Sequence, residues 1–377
     1  MGDNETPQTM AEDVFITELT INKVRHLENI HIPLSKEKRK HLILTGRNGS
    51  GKTSVLEALK SFIPNLLESI NSQDKVSMNF NNLSILRNYF STGNFILAYY
   101  AAIRQANLAK PAGPRKIDLQ NSYELDEKPG KEFLQYLVNL RTEKSYARED
   151  NDLQRVNAID NWFITLENNL RELFEDSSLI LEFERKNYNF KIIQSGKEPF
   201  DFNTLADGYS SILYILADLI MRMDRNEQRS YDIQGVVLID ELEAHLHIDL
   251  QKKIFPFLID FFPKIQFIVT THSPFVLSSV ENAVVYDLEN KILVDNLSAY
   301  SYDGIVEGYF DNDKYSDEAK EKIRLYEELV NKKNRTDEEH AQMMKLRNYL
   351  SEVPAALASE LKMKFQQIEL NRIAKSK

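Results

Sequence analysis

The sequence predicts an α/β fold built around a parallel sheet, and three segments carry this prediction. An apolar run at 41–45 leads into the glycine-rich octet 46–53, and a helical pattern begins at residue 54. Two further apolar runs, 236–239 and 265–269, end in polar or charged residues. Parallel strands present their carboxyl ends at one edge of a sheet, where ligands bind. We therefore expect the three segments to meet at a ligand-binding edge of the sheet.

Composition excludes several other classes of protein. The chain has 377 residues, 42% of them hydrophobic and 28% charged, as in soluble globular proteins. Its net charge of -10 repels nucleic acid and anionic membranes, so nucleic-acid binding would need a local basic patch. The absence of cysteine fits a reducing compartment. No leader pattern or membrane-length apolar run is present, which predicts a cytoplasmic protein without membrane contact.

The octet reads Gly-Arg-Asn-Gly-Ser-Gly-Lys-Thr, which has the spacing of a phosphate-binding loop. Glycines let backbone N–H groups converge on phosphate, and the following helix N-terminus adds favourable potential. Lys52 is expected to reach the β- and γ-phosphates, and Thr53 to offer its hydroxyl to Mg²⁺. The predicted cofactors are ATP and Mg²⁺. The predicted nucleotide-binding residues are Gly46, Arg47, Asn48, Gly49, Ser50, Gly51, Lys52, Thr53 and Ser54.

Catalytic groups are predicted at the ends of the two later strands. Asp240 is expected to hold Mg²⁺ through water, and Glu241 to act as general base on the attacking water. His272 follows its own strand, within reach of the γ-phosphate or that water, and Lys52 completes the predicted catalytic set. A solvated acidic turn and a structural histidine would give similar patterns. The phosphate loop upstream favours the catalytic interpretation.

A fourth element, 205–210, reads Leu-Ala-Asp-Gly-Tyr-Ser and opens a helix that runs to Met223. Its glycine and backbone N–H groups would favour an anion at the helix start. A turn before an ordinary core helix would look the same.

The chain is expected to divide into four parts. Residues 1–63 and 204–296 form the two halves of the ATPase core, 64–203 an inserted lid with a hairpin, and 297–377 a helical tail for partner or oligomer contacts. The insert has an apolar stripe of fewer than three heptads, which favours a compact lid over a long coiled-coil arm. The stripe consists of Val156, Ile159, Phe163, Leu166, Leu170 and Leu173.

In order and spacing, these elements resemble the P-loop NTPases, and among them the ABC-type ATPases, over most of 14–290. The phosphate loop and the Asp-Glu-x-Glu-x-His-Leu-His stretch at 240–247 are similar to the RecF, SMC and OLD-like branch. The resemblance implies a head-to-tail dimer, in which Gly208 and Ser210 of one subunit close over ATP held by the other. It also implies a Mg²⁺-sensing glutamine. Gln105 is the candidate, although a solvated glutamine would fit equally.

The sequence departs from the family pattern at two positions. Ala206 replaces the signature serine, which removes one expected hydroxyl contact to the γ-phosphate. Leu242 stands where many relatives carry proline, which changes turn stiffness rather than chemistry. Neither departure removes a predicted catalytic group.

A second catalytic domain is not expected in this chain. Residues 305–311 resemble the opening of a Toprim nuclease, but only 66 residues follow (377 minus 311), and they have a helical pattern. A full ATP site with a helical tail resembles the ATPase subunits of anti-phage systems such as Septu, retron-linked ATPases and PARIS. That resemblance implies an oligomeric sensor ATPase that controls a separate effector protein such as a nuclease. The alternatives are a RecF-like DNA-maintenance ATPase and a slow ATP-binding regulatory module.

Overall fold

The computed structural model describes residues 12–67, 75–224, 233–294, 297, 317–332, 334–352 and 359–375. By its internal contacts the chain divides into two units, 1–300 and 301–377. The Toprim-like stretch 305–311 lies outside the described residues.

The centre of the first unit is a six-stranded sheet with the strand order β12, β11, β3, β10, β9, β5. Its strands are parallel except for β12, which pairs with β11 in the antiparallel sense. Every residue of β3, β5, β9 and β10 is buried, which explains why these strands are mostly apolar. The six strands are β3 (His41–Thr45), β5 (Phe95–Tyr100), β9 (Gln234–Ile239), β10 (Ile265–Thr270), β11 (Ala283–Asp287) and β12 (Ile292–Val294).

A second, antiparallel sheet has the order β2, β1, β4 and packs against the first through a shared apolar core. Two glutamines join the sheets. Gln266 accepts a hydrogen bond from the Ile16 amide at 2.6 Å and donates one to its carbonyl at 3.1 Å. Gln234 accepts from the Val14 amide at 2.7 Å. The three strands are β1 (Ile16–Val24), β2 (Leu27–Pro33) and β4 (Val76–Phe80).

Helices cover the central sheet. The first, α1, starts at the phosphate loop and buries one apolar side, including Val55, Leu56 and Leu59, in the core between the sheets. The helices of the first unit are α1 (Lys52–Leu67), α2 (Leu83–Ser91), α3 (Phe133–Glu149), α4 (Leu153–Phe174), α5 (Asp207–Met223), α6 (Ile248–Phe261) and α7 (Pro274–Leu277).

The insert contains helices α3 and α4 and a small antiparallel sheet in the order β6, β7, β8. Asp152 caps α4 by accepting a hydrogen bond from the Arg155 amide at 2.9 Å. All six residues of the predicted stripe are buried, together with Trp162. The strands are β6 (Ile180–Glu184), β7 (Asn189–Ile193) and β8 (Phe200–Asp201).

The α/β fold predicted from the sequence is confirmed, but part of the segment assigned to the insert lies in the core. Strand β4 pairs with β1, and β5 forms the edge of the central sheet beside β9. Both strands fall within 64–203. Their pairing partners are distant in sequence, so the apolar run of β5 alone could not show which sheet it enters.

The second unit contains three helices, α8 (Asp317–Asn331), α9 (Asp337–Glu352) and α10 (Ser359–Lys375). They share a core that includes Tyr326, Leu350 and Phe365. A capping box begins α9, since the Glu339 amide donates to Thr336 Oγ1 at 3.2 Å and the Thr336 amide donates to Glu339 Oε2 at 3.0 Å. None of the described helices of the chain is long and apolar enough to span a membrane.

Candidate functional site

The phosphate loop joins β3 to α1 and depends on glycine at two crowded positions. Gly46 has φ +131° and Gly51 has φ +99°, conformations that side chains with a Cβ rarely adopt. A Cβ at Gly46 would lie 2.9 Å from Ser50 Oγ, and one at Gly51 would lie 2.9 Å from Leu27 Cδ1. The loop is therefore packed closely against its surroundings, and a residue with a Cβ at either position would be strained.

Lys52 is held by the loop that it follows. Its ammonium donates to the carbonyls of Gly46 at 2.8 Å and Arg47 at 3.1 Å. Burial lowers the pKa of Lys52, and nearby carboxylates, of which Glu241 is the strongest, oppose that shift. These carboxylates favour the charged ammonium in a largely buried position, as a phosphate ligand requires.

A cavity of about 230 Å³ opens beside this ammonium. It brings together residues from the phosphate loop, the end of β9 and the end of β10, as the sequence predicts for the sheet edge. The predicted residues that line it are Asn48, Gly49, Gly51, Lys52, Thr53, Ser54, Glu241 and His272. Arg25 and Glu57 also line it, and the sequence analysis did not identify either of them.

The acidic pair at the end of β9 is organised by one hydroxyl. Thr270 Oγ1 donates to Asp240 Oδ1 at 2.6 Å and accepts from the Glu241 amide at 2.7 Å. Asp240 is buried, whereas Glu241 reaches the cavity. Glu241 has φ +46°, a left-handed conformation that costs a residue with a Cβ roughly 1–2 kcal/mol. The turn therefore needs support from outside.

Arg104 provides that support. Its guanidinium donates to the carbonyls of Asp240, Glu241 and Leu242 at 2.7, 3.0 and 3.2 Å. It also donates to Ser211 Oγ on α5 at 3.1 Å. Burial lowers the pKa of Arg104 to about 10, so it stays charged at neutral pH. Sequence analysis missed this residue. A cation four residues after a buried strand was the available signal.

His272 lines the cavity with its ring half-buried. Burial and the Lys52 ammonium lower its pKa, so the neutral imidazole is favoured at neutral pH. The Glu243 carboxylate holds the backbone at His272 in place. It accepts hydrogen bonds from the His272 amide and from Thr271 Oγ1. The sequence did not predict a contact between Glu243 and His272, because that contact depends on the tertiary fold.

Several residues predicted to bind the nucleotide or Mg²⁺ do not line the cavity, among them Gln105, Ser210 and Arg47. Gln105 is exposed and does not line the cavity, because the chain after β5 turns its neighbour Arg104 inward instead. Ser210 is buried, and its hydroxyl accepts from the Ala106 amide at 3.0 Å, so in this conformation it is not available to a second subunit. Arg47 is exposed, and its amide donates to Glu289 Oε2 at 3.0 Å.

Gly208 lies in the first turn of α5, where a helix presents free N–H groups. The turn packs closely, because a Cβ at Gly208 would lie 3.2 Å from the carbonyl oxygen of His245. Ala206 is the N-cap of α5 and makes no side-chain capping bond.

Comparison with known proteins gives matches to ATPases. Residues 116–278 match a family model described as "AAA domain, putative AbiEii toxin, Type IV TA system". The Septu protein PtuA of Bacillus mycoides is 27% identical over 324 residues, 77% of this chain and 42% of that protein. The Retron Ec83 probable ATPase of Escherichia coli is 40% identical over 89 residues, 23% of this chain and 16% of that protein.

In these matches the chain is similar to ABC-like ATPases of anti-phage defence systems. Among solved structures, an SMC head bound to the C-winged helix domain of ScpA has a TM-score of 0.40 at 14% identity, covering 76% of this chain and 99% of that one. The matched region spans less than half of the length of the two curated relatives.

Proposed function

We propose that this chain is an ABC-type ATPase that binds ATP with Mg²⁺ and hydrolyses it. The observation that carries the proposal is the cavity in which Lys52, Thr53, Glu241 and His272 converge from three separate elements of the fold. Phosphoryl transfer relies mainly on positioning and electrostatic stabilisation, and these four side chains supply both.

The residues present fit a nucleotide-bound magnesium ion. In the part of the chain that the structure describes, no three acidic or histidine side chains form a metal cluster. Mg²⁺ in ATPases needs only one or two protein ligands, because phosphates and water complete its shell. The Thr53 hydroxyl and the Asp240 carboxylate, through water, would hold the ion. It would neutralise charge on the phosphates.

Lys52 would hold the β- and γ-phosphates through its ammonium. Glu241 would accept a proton from the water that attacks the γ-phosphorus, while the bond from that phosphorus to the β–γ bridging oxygen breaks and ADP leaves. Neutral His272 would hydrogen-bond the water or the γ-phosphate. Arg25 on the cavity wall adds a cation to the same site.

We further propose that two copies close head to tail around ATP. Support comes from Gly208 at the start of α5, whose N–H groups suit an anion, and from the exposed Thr53 side of the cavity. Ser210 would need to leave its contact with the Ala106 amide to take part, so we assign the trans contact to Gly208 rather than to Ser210.

The proposed role of the dimer is to control a separate nuclease or other toxic effector in anti-phage defence. The similarity to a Septu protein and to retron ATPases supports it. The helices α8 to α10 offer a surface for such a partner.

Two variants test the ATPase proposal. Lys52→Ala should abolish ATP binding, whereas Glu241→Gln should bind ATP, stop hydrolysis and accumulate a dimer in ATP that size-exclusion chromatography with light scattering detects. Hydrolysis by Glu241→Gln at the parental rate would exclude Glu241 as general base. ATP binding without turnover in the parent would favour the slow binding module. Strong, salt-dependent stimulation by DNA alone would favour the RecF-like alternative.

The effector is tested by affinity purification of Glu241→Gln from cells that carry its native gene neighbourhood. We expect a neighbouring gene product to copurify in a nucleotide-dependent manner. Recovery of the ATPase alone, with and without ATP, would contradict the proposed control of an effector.

A further inference from the structure

A second cavity, of about 630 Å³, lies in the insert and shares no lining residue with the ATP cavity. Helix α3 forms one wall and the β6–β7 hairpin another. Its size is within the range of small-molecule sites, roughly 300–1,000 Å³. The cavity is therefore large enough to hold a small ligand. Its existence does not depend on the proposed ATPase activity.

The lining of this cavity is strongly basic in a chain of net charge -10. Four cationic side chains contribute to it, Arg141, Lys144, Arg148 and Arg185, and no carboxylate does. Lys144 is paired with Asp160. Arg148 and Arg185 are exposed, and neither has an ion-pair partner among the residues that the structure describes. The cavity thus carries an excess of positive charge, which comes mainly from Arg148 and Arg185.

Arg141 adds a cation that the fold holds in place. Its guanidinium lies 4.1 Å from the ring centroid of Phe163, and its buried Nε has no hydrogen-bond partner among the described residues. Burial lowers the pKa of Arg141, and the nearby Arg148 lowers it further, while Asp160 and Glu167 oppose the shift. A phosphate in the cavity would relieve this repulsion between guanidinium groups.

Aromatic side chains complete the lining. Tyr188 and Phe183 come from the hairpin, and both are half-buried. Tyr188 has φ +48°, an uncommon conformation for a residue with a Cβ, so the hairpin turn holds its ring beside the cavity at an energetic cost. Rings beside guanidinium groups suit a ligand with a planar base and a phosphate.

Contacts with α4 hold the α3 wall of the cavity in place. Ion pairs join α3 to α4 through Lys144 with Asp160 and through Arg155 with Glu143. The Tyr136 and Trp162 rings pack edge to face with centroids 5.5 Å apart. Binding would therefore require little reorganisation of these helices.

From this arrangement we infer that the insert binds a phosphorylated nucleotide, either free or as a unit of a single-stranded nucleic acid. Arg141, Arg148 and Arg185 hold the phosphate, and the rings of Tyr188 and Phe183 contact the base. This site is separate from the ATP cavity and would bind a second ligand, in the insert.

The test uses the full chain carrying Lys52→Ala, so that the phosphate loop does not contribute. Binding of a fluorescent AMP analogue and of a labelled 12-nucleotide DNA and RNA strand is measured by anisotropy. Either the nucleotide or a strand should bind, and which of them binds identifies the source of the ligand. Absence of binding by all three probes would overturn the inference.

Charge reversal locates the site. The double variant Arg148→Glu/Arg185→Glu should weaken binding by about tenfold or more, as expected for the removal of charge-assisted hydrogen bonds to phosphate. For a strand, it should also reduce the slope of log K against log salt by roughly 0.7 for each phosphate that is no longer neutralised. Lys186→Glu is the matched control, because Lys186 is exposed in the same turn but does not line the cavity. Equal weakening by the control would overturn the assignment.

Removal of the ring tests the base contact. Tyr188→Leu should weaken binding by roughly fivefold or more, because stacking of a base on an aromatic ring contributes about 1–3 kcal/mol. Unchanged affinity in this variant, with an unchanged melting temperature, would contradict the role of Tyr188.

Discussion

Arg104 holds the turn that carries Glu241, so its removal should impair both stability and catalysis. The variant Arg104→Met keeps side-chain length but removes the charge and every donor. Three backbone carbonyls of the turn, those of residues 240 to 242, would lose their guanidinium partner. The Ser211 hydroxyl on α5 and the Ala101 carbonyl would lose theirs as well.

The magnitude follows from these five hydrogen bonds. A hydrogen bond to a charged group contributes about 1.5–3 kcal/mol, but hydrogen bonds made by one side chain are not additive. Removal of the guanidinium also removes the cost of burying it, since Arg104 is 4% exposed. We therefore expect the free energy of unfolding to fall by about 3 kcal/mol, because buried carbonyls left without a donor cost about 1–3 kcal/mol each. A misplacement of Glu241 by about 1 Å would slow hydrolysis by about a hundredfold.

Two assays separate positioning from binding. Urea unfolding gives the free energy of unfolding, and single-turnover hydrolysis with saturating ATP gives the rate of the chemical step. The dissociation constant for ATP should change by less than about threefold, because the phosphate loop makes no described contact with Arg104. Arg104→Lys keeps the charge with fewer donors and should recover part of both effects. If Arg104→Met had the same free energy of unfolding and the same single-turnover rate as the parent, the positioning role would be refuted.

Other predictions concern the core and the loop. Burial lowers the pKa of His41 to about 3 from an ordinary 6.5, so the stability from its neutral ring is complete above pH 6.5 and is lost as the pH falls toward 3. Between pH 7 and pH 5 this decrease is about 2 kcal/mol, and in urea unfolding His41→Asn should flatten the dependence. Gly51→Ala should weaken ATP binding, measured by fluorescence titration, by about tenfold or more, and destabilise the chain more than Gly49→Ala, because only the Cβ at Gly51 meets a neighbour. Equal effects would contradict the packing argument. Glu243→Gln should slow hydrolysis by about tenfold with ATP affinity retained, since His272 loses its charged backbone partner; an unchanged rate would exclude that support.

The parts of the fold that sequence could predict are those with local signals. Strands β3, β9 and β10 are apolar runs buried on both faces, and α4 has an apolar stripe. The sheet position of β5 could not be predicted, because it depends on pairing with β9, more than a hundred residues away.

The site shows the same division. Lys52, Thr53, Glu241 and His272 were predictable because each stands at a fixed place after a strand or at a helix start. Gln105 was chosen on a similar argument, but which of two neighbouring side chains turns inward depends on the groups that it meets. In the folded chain Arg104 donates to three carbonyls around the β9 turn and to one hydroxyl on α5, and the sequence alone does not show that these acceptors lie nearby.

The glutamine at position 266 has a mechanical consequence. Its amide imitates a neighbouring strand for Ile16, because it both accepts from the amide and donates to the carbonyl of that residue. These two hydrogen bonds attach the antiparallel sheet to β10, the strand that leads to His272. We therefore expect the two sheets to move as one rigid body when nucleotide binds. Nucleotide-dependent displacements should be largest in the insert and in α5, which are connected to the sheets by irregular loops.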